Sequence, residues 1–197
     1  MPLFETIEGA TPIDDISELI PTHITTKAQL DEWEVNNISN AVRKYLTKKR
    51  KYSITVEWIK QVHKDMFEES WEWAGKFRTR NINMGVDWHQ VQEEVKKLAD
   101  DIDFWGKNKG GPDILEQSIR MHHRLAKIHP FLNGNGRHAR LAADIFLFSH
   151  GSKLPVWPDE KLLRSTDLRE RYISALKEAD SGNYLPLKKF TIELIDQ

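Results

Sequence analysis

The chain has 197 residues, 39% hydrophobic and 10% aromatic, enough to bury one substantial core and slightly long for a single average domain. With 29 Lys and Arg against 30 Asp and Glu the formal charge is −1, so no global positive field gives nucleic acid or anionic lipid a reason to bind. There is no cysteine, no basic segment leading into an apolar stretch and no apolar run of transmembrane length; the expectation is a cytoplasmic protein with no membrane and no nucleic-acid partner.

Residues 1–25 carry Pro2, Gly9, Pro12 and Pro21, a density of breakers that predicts an arm with little more than one helical turn. From residue 26 to 197 the chain reads as a single helical domain. Thr26-Lys-Ala-Gln29 is a capping box, and Leu30, Trp33, Ile38, Val42 and Tyr45 follow at helical spacing, predicting a helix to about Thr47. Thr55 caps a second helix with Val56, Ile59, Val62 and Met66 on its apolar face. Residues 77–88 loosen into Phe-Arg-Thr-Arg-Asn-Ile-Asn-Met-Gly-Val-Asp-Trp, where Gly85 can turn a short polar hairpin, the one β-element expected. Val91, Val95, Leu98, Ile102 and Trp105 predict a helix stopped by a C′ glycine at Gly106, and Pro112 suits the first turn of the next, which runs toward His129. A helix from about Gly136, with an apolar stripe of Leu141, Ile145 and Phe148, ends at Gly151. Two shorter helices over about 167–180 and 187–196 complete an all-α chain with one hairpin.

Between two strongly helical stretches lies His129-Pro-Phe-Leu-Asn-Gly-Asn-Gly-Arg-His-Ala-Arg140, where Pro130 blocks helix continuation and two glycines free the backbone. The loop brings the backbone N–H groups of Gly134, Asn135 and Gly136 to the positive end of a helix dipole, a geometry that binds phosphate. Arg137 and Arg140, three apart, share a helical face, and their forked donors match a polyphosphate. His129, with an ordinary pKa of about 6.5, can accept a proton from a hydroxyl nucleophile at neutral pH. Taken together these residues predict attack of a nucleophile on a bound phosphate, and spacing identifies neither the nucleotide nor the acceptor.

The segment resembles the signature of the Fic family, His-Pro-Phe-x-(Asp or Glu)-Gly-Asn-Gly-Arg-x-x-Arg, and matches eight of its nine specified positions. The resemblance extends over about residues 30–195: Gly75-Lys-Phe-Arg78 and the segment after it resemble the family's flap, and the arm resembles a Fic branch known as mobile mystery protein B. It implies a Fic-type helical bundle with one short β-hairpin flap, and transfer of AMP from ATP, with Mg²⁺, to a Ser, Thr or Tyr hydroxyl of a target protein. It also implies that His129 is the base, that Gly134, Asn135 and Gly136 hold the α- and β-phosphates, that Arg137 and Arg140 engage the outer phosphates, and that Phe131, after Pro130, anchors the loop in the core. Flap residues Thr79, Arg80, Asn81, Ile82, Asn83 and Met84 would bind target backbone by strand addition.

Asn133 stands where the family has a metal-binding Asp or Glu, and a neutral amide oxygen attracts Mg²⁺ less than a carboxylate does. Many Fic proteins are restrained by (Ser or Thr)-x-x-x-Glu-(Gly or Asn). Ser174 to Glu178, followed by Ala179, and Glu34 with Asn36 are near misses, which leaves room for a separate inhibitory protein. His122 and His123 diverge on a helix and carry no His-Glu-x-x-His, so His122 is expected in the core bonded to backbone and His138 at the surface. Trp33, Trp58 and Trp105 read as core, and Lys48 to Lys51 as a solvated loop. The competing functions are transfer of UMP, phosphocholine or a phosphoryl group, and a nucleotide-binding module that has lost turnover.

Overall fold

The computed structural model describes residues 17–108, 110–158, 162 and 166–196, so most of the predicted arm lies outside the described residues. Helix α1 (Lys27–Leu46) starts at Thr26, whose hydroxyl accepts from the Gln29 N–H while the Gln29 side chain accepts from the Thr26 N–H. Helix α2 (Val56–Phe67) starts at Thr55 in the same way, its side chain accepting from the Trp58 N–H. Helix α3 (Val91–Lys107) follows a single 3₁₀ turn at Trp88–Gln90 capped by Asp87. Helices α4 (Ile114–Ile128) and α5 (Asn135–Ser149) carry the signature segment between them, and α6 (Asp167–Asp180) and α7 (Leu185–Ile195) close the described chain.

Helix α5 lies at the centre and is buried almost all round, from His138 to Leu147, rather than along the single stripe predicted; Phe148 is only half-buried. Its neighbours explain this. Val95, Leu98, Met121, Leu125, Phe131 and Phe146 form one core between α3, α4 and α5, and Leu30, Tyr45, Val62, Met66, Trp71 and Ile145 form a second toward α1 and α2. Ile119 on α4 joins Tyr172, Leu187 and Phe190 in a third beneath α6 and α7. Residues 18–20 lie antiparallel to 70–72, with Ile20 N–H donating to Ser70 O and Glu72 N–H to Glu18 O.

Several local expectations shift. Gly106 lies inside α3, which is capped at Asn108. Pro112 precedes the α4 cap Asp113, and Pro186 falls in the first turn of α7 rather than ahead of it. Trp71 and Trp73 are the buried tryptophans, whereas Trp33, Trp58 and Trp105 pack at the edges of the cores. The predicted hairpin forms no β-ladder among the described residues. The ends of segment 77–88 turn to the α4–α5 junction instead of each other: Arg78 N–H donates to Pro130 O at 3.0 Å and Val86 N–H to Ile128 O at 3.3 Å. Within the segment Asn81 stands in for the missing rungs, accepting from the Trp88 N–H and donating to Asp87.

Replacing Thr26 by alanine removes the hydroxyl half of the α1 capping box and should lower stability by about 1 kcal/mol, read as a lower urea midpoint at unchanged slope.

Candidate active site

His129 is the α4 C-cap, in the left-handed region at φ 53° and ψ 60°, and among the described residues it is the one non-glycine with positive φ. Such a conformation costs on the order of 1–2 kcal/mol and persists only where its surroundings hold it. Its Nδ1 lies 2.8 Å from Ala126 O. A carbonyl only accepts, so Nδ1 carries the proton and Nε2 keeps its lone pair. Burial pushes the His129 pKa down to about 4; the Ala126 bond opposes the shift and the Arg78 charge adds to it. The ring is therefore neutral at pH 7, with one nitrogen ready to accept a proton.

The loop after His129 is built on aromatic packing. Phe131 is buried and stacks on His63 at 3.6 Å between ring centres, the anchoring role expected of it. His63 Nδ1 accepts from the Gly75 N–H, which leaves Nε2–H to donate to Asn133 O at 3.0 Å. Sequence reasoning passed over His63, although it lies four residues after Ile59 and three before Met66, on the apolar face of α2. Asn135 uses its side chain to staple the loop, accepting from Phe131 N–H at 2.9 Å and donating to Phe131 O at 2.8 Å.

Gly134 caps α5 at φ 74°, where a Cβ would stand 2.5 Å from the Phe67 ring. Its own N–H donates to Asn133 Oδ1 at 2.6 Å, so one of the three predicted phosphate donors is already engaged. The Asn135, Gly136 and Arg137 N–H groups occupy the first turn of a helix whose cap offers no side-chain acceptor. A Cβ at Gly136 would meet only Arg140 Nη1, at 3.7 Å. An open helix N-terminus beside a guanidinium is an arrangement suited to an anion.

The two signature arginines do not meet. Arg137 lies over the Phe67 ring and pairs with Glu34 of α1 at 2.6 Å. Glu34 is 3% exposed, and its other oxygen accepts from Trp71 Nε1 at 2.7 Å, so this near-miss acid faces the core and not solvent. Arg140 instead lies over Trp157 and against the α5 N-terminus. Glu178, the other near miss, bonds Asn183 at the end of α6.

His122, His123 and His138 are buried among the helices. His138, expected at the surface, is fully buried and bonds Ile59 O, because α5 is covered on every side. His122 is in the core as expected, but its partner is the Tyr172 hydroxyl rather than backbone. His123 pairs with Asp180, and no group of three or more metal-ligating side chains occurs among the described residues. Asn133, with its amide oxygen turned to Gly134 N–H, does not by itself make a metal site.

The flap segment lies on His129. A Cβ at Gly85 would come within 2.7 Å of His129 Cβ and 2.8 Å of Ile128 O, so only glycine allows this approach. Thr79, Arg80, Asn81 and Asn83 are exposed along it, and Ile82 and Met84 are half-buried.

A family model described as Fic/DOC family matches residues 53–147. The chain is 29% identical over 171 residues to protein adenylyltransferase Fic of Nematostella vectensis, covering 83% of this chain and 38% of that protein. It is 27% identical over 148 residues to protein adenylyltransferase fic-1 of Caenorhabditis briggsae, covering 74% and 28%. The chain thus spans about a third of the length of these relatives. Among solved structures, BepC of Bartonella tribocorum, described with bound AMPPNP, superposes with TM-score 0.65 at 18% identity over 91% of this chain and 96% of that one.

Burial lowers the pKa of five histidines: His129 and His138 to about 4, His122 to about 3, His63 well below 6.5, and His123 against the opposing bond to Asp180. The unfolded chain binds these protons near pH 6.5 and the folded chain does not, so the stability is present above that pH and is lost as pH falls toward 4. Each histidine adds a slope of about 1.4 kcal/mol per pH unit within the window. Urea midpoints should be flat from pH 8 to 7 and fall steeply below 6; a midpoint unchanged at pH 5 would contradict dry, neutral rings.

Proposed function

Because residues 53–147 belong to the Fic/DOC family, we propose that this chain transfers AMP from ATP to a Ser, Thr or Tyr hydroxyl of a target protein. The observation that carries the reading is a neutral histidine with an unprotonated Nε2 placed one loop ahead of an uncapped helix N-terminus. The adenylyltransferase names of the relatives and the AMPPNP of BepC make ATP the nucleotide to test first.

In this mechanism the first-turn N–H groups of α5 and the Arg140 guanidinium hold the phosphates, an arrangement in which charge development is met by donors already in place. The target hydroxyl gives its proton to His129 Nε2 and attacks the α-phosphorus. The new bond joins the hydroxyl oxygen to AMP, the bond from the α-phosphorus to the bridging oxygen of pyrophosphate breaks, and pyrophosphate leaves. A pKa of about 4 makes the resting histidine a weak base. An anion bound beside it favours the protonated ring and raises that value, so proton transfer becomes effective once substrate is present. Asn133 would be the loop side chain to offer an oxygen to Mg²⁺ held mainly by the ATP phosphates, and the metal would supply neutralisation of their charge.

Lysate incubated with the protein and ATP labelled at the α-phosphate should yield labelled protein, and His129→Ala should reduce the rate by about 100-fold to 10,000-fold. Label transferred from the γ-position would instead indicate kinase chemistry, and nucleotide binding with neither label a module without turnover. Replacing Asn133 by aspartate should lower, several-fold, the magnesium concentration needed for half-maximal ATP binding, measured by calorimetry. An unchanged magnesium titration would remove Asn133 from the metal.

A further inference from the structure

Arg78 has no place in the phosphate chemistry, yet it is 2% exposed and reaches more backbone oxygens of the site than any other described side chain. Its Nε–H donates to His129 O at 2.8 Å. One terminal nitrogen donates to Arg80 O at 3.0 Å and lies 3.5 Å from Asn81 Oδ1; the other donates to Val86 O and lies 3.5 Å from Ile128 O. A helix that stops at Ile128 leaves its last carbonyls without intrahelical partners, and the left-handed turn at His129 directs one of them at this guanidinium. The same fork holds both limbs of the flap, whose Gly85 rests on His129 Cβ.

We propose that Arg78 is a positioning residue for the transfer reaction: it fixes the left-handed His129 turn and the flap as one unit, so that Nε2 and the docked hydroxyl keep a constant separation. This rests on His129 acting as the base. A rigid planar fork suits the task. Five donors in fixed directions serve carbonyls on two chain segments together, whereas a lysine ammonium is a single point on a flexible stem. The acceptors of the Arg78 guanidinium lie at the α4 terminus and in the flap and none on α5, so its loss should reach the chemical step and spare nucleotide binding.

The test compares wild type with Arg78→Lys and Arg78→Gln, measuring ATP affinity by calorimetry and the rate of α-phosphate labelling in lysate. Glutamine retains two amide donors without a buried charge, so it reports should the lysine variant fail to fold. The expected result is ATP affinity within twofold of wild type, a labelling rate reduced at least tenfold, and partial recovery of the rate with millimolar guanidinium. A labelling rate within twofold of wild type in a folded variant would overturn the proposal. So would a loss of ATP affinity in step with rate, which marks general damage to the fold. Absence of label from wild type itself would overturn the AMP-transfer reading, and with it the role given to Arg78.

Discussion

A helix that ends inside a protein must find partners for its last carbonyl groups, and here that requirement falls at the centre of the site. Helix α4 stops at Ile128 because Pro130 cannot continue it, and the carbonyls of residues 128, 129 and 130 turn away from the helix. All three are met from residues 78–86, by the Val86 and Arg78 N–H groups and by the Arg78 guanidinium. The flap is therefore the polar complement of a broken helix. Its ends pair with that junction rather than with each other, through the Arg78 and Val86 N–H groups. Gly85 completes the contact, because any side chain there would meet His129.

Charge is arranged in layers around the loop. Beneath it His63 and His138 are buried and neutral, each fixed by hydrogen bonds to backbone, so they support the loop as aromatic packing without adding positive charge. Above it lie the first turn of α5 and the Arg140 guanidinium. Arg137 contributes less than its position in the signature suggests, because Glu34 already balances its charge.

Much of this was written locally. Thr26 and Thr55 cap helices where their side chains can reach an N–H three residues on, and Gly151 ends α5 in a left-handed turn, each the outcome of interactions within a few residues. The same holds for the break at Pro130 and the glycine cap at Gly134. Where local pattern misled, the cause was distant. His138 reads as surface from its place in the unspecified gap between the two signature arginines, but it is buried against Ile59 of α2. Arg137 and Arg140 share a face by spacing, yet an acid 103 residues away draws one of them aside.

His129 as a base candidate, the loop as an anion site and the all-α class followed from the sequence, because each depends on residue type and short-range geometry. Which nitrogen of His129 holds the proton, which arginine pairs with an acid from α1, and where the ends of segment 77–88 are bonded were decided by the tertiary structure. Those outcomes depend on burial and on partners from α1, α2 and the flap, and neither spacing nor composition specifies where such partners meet.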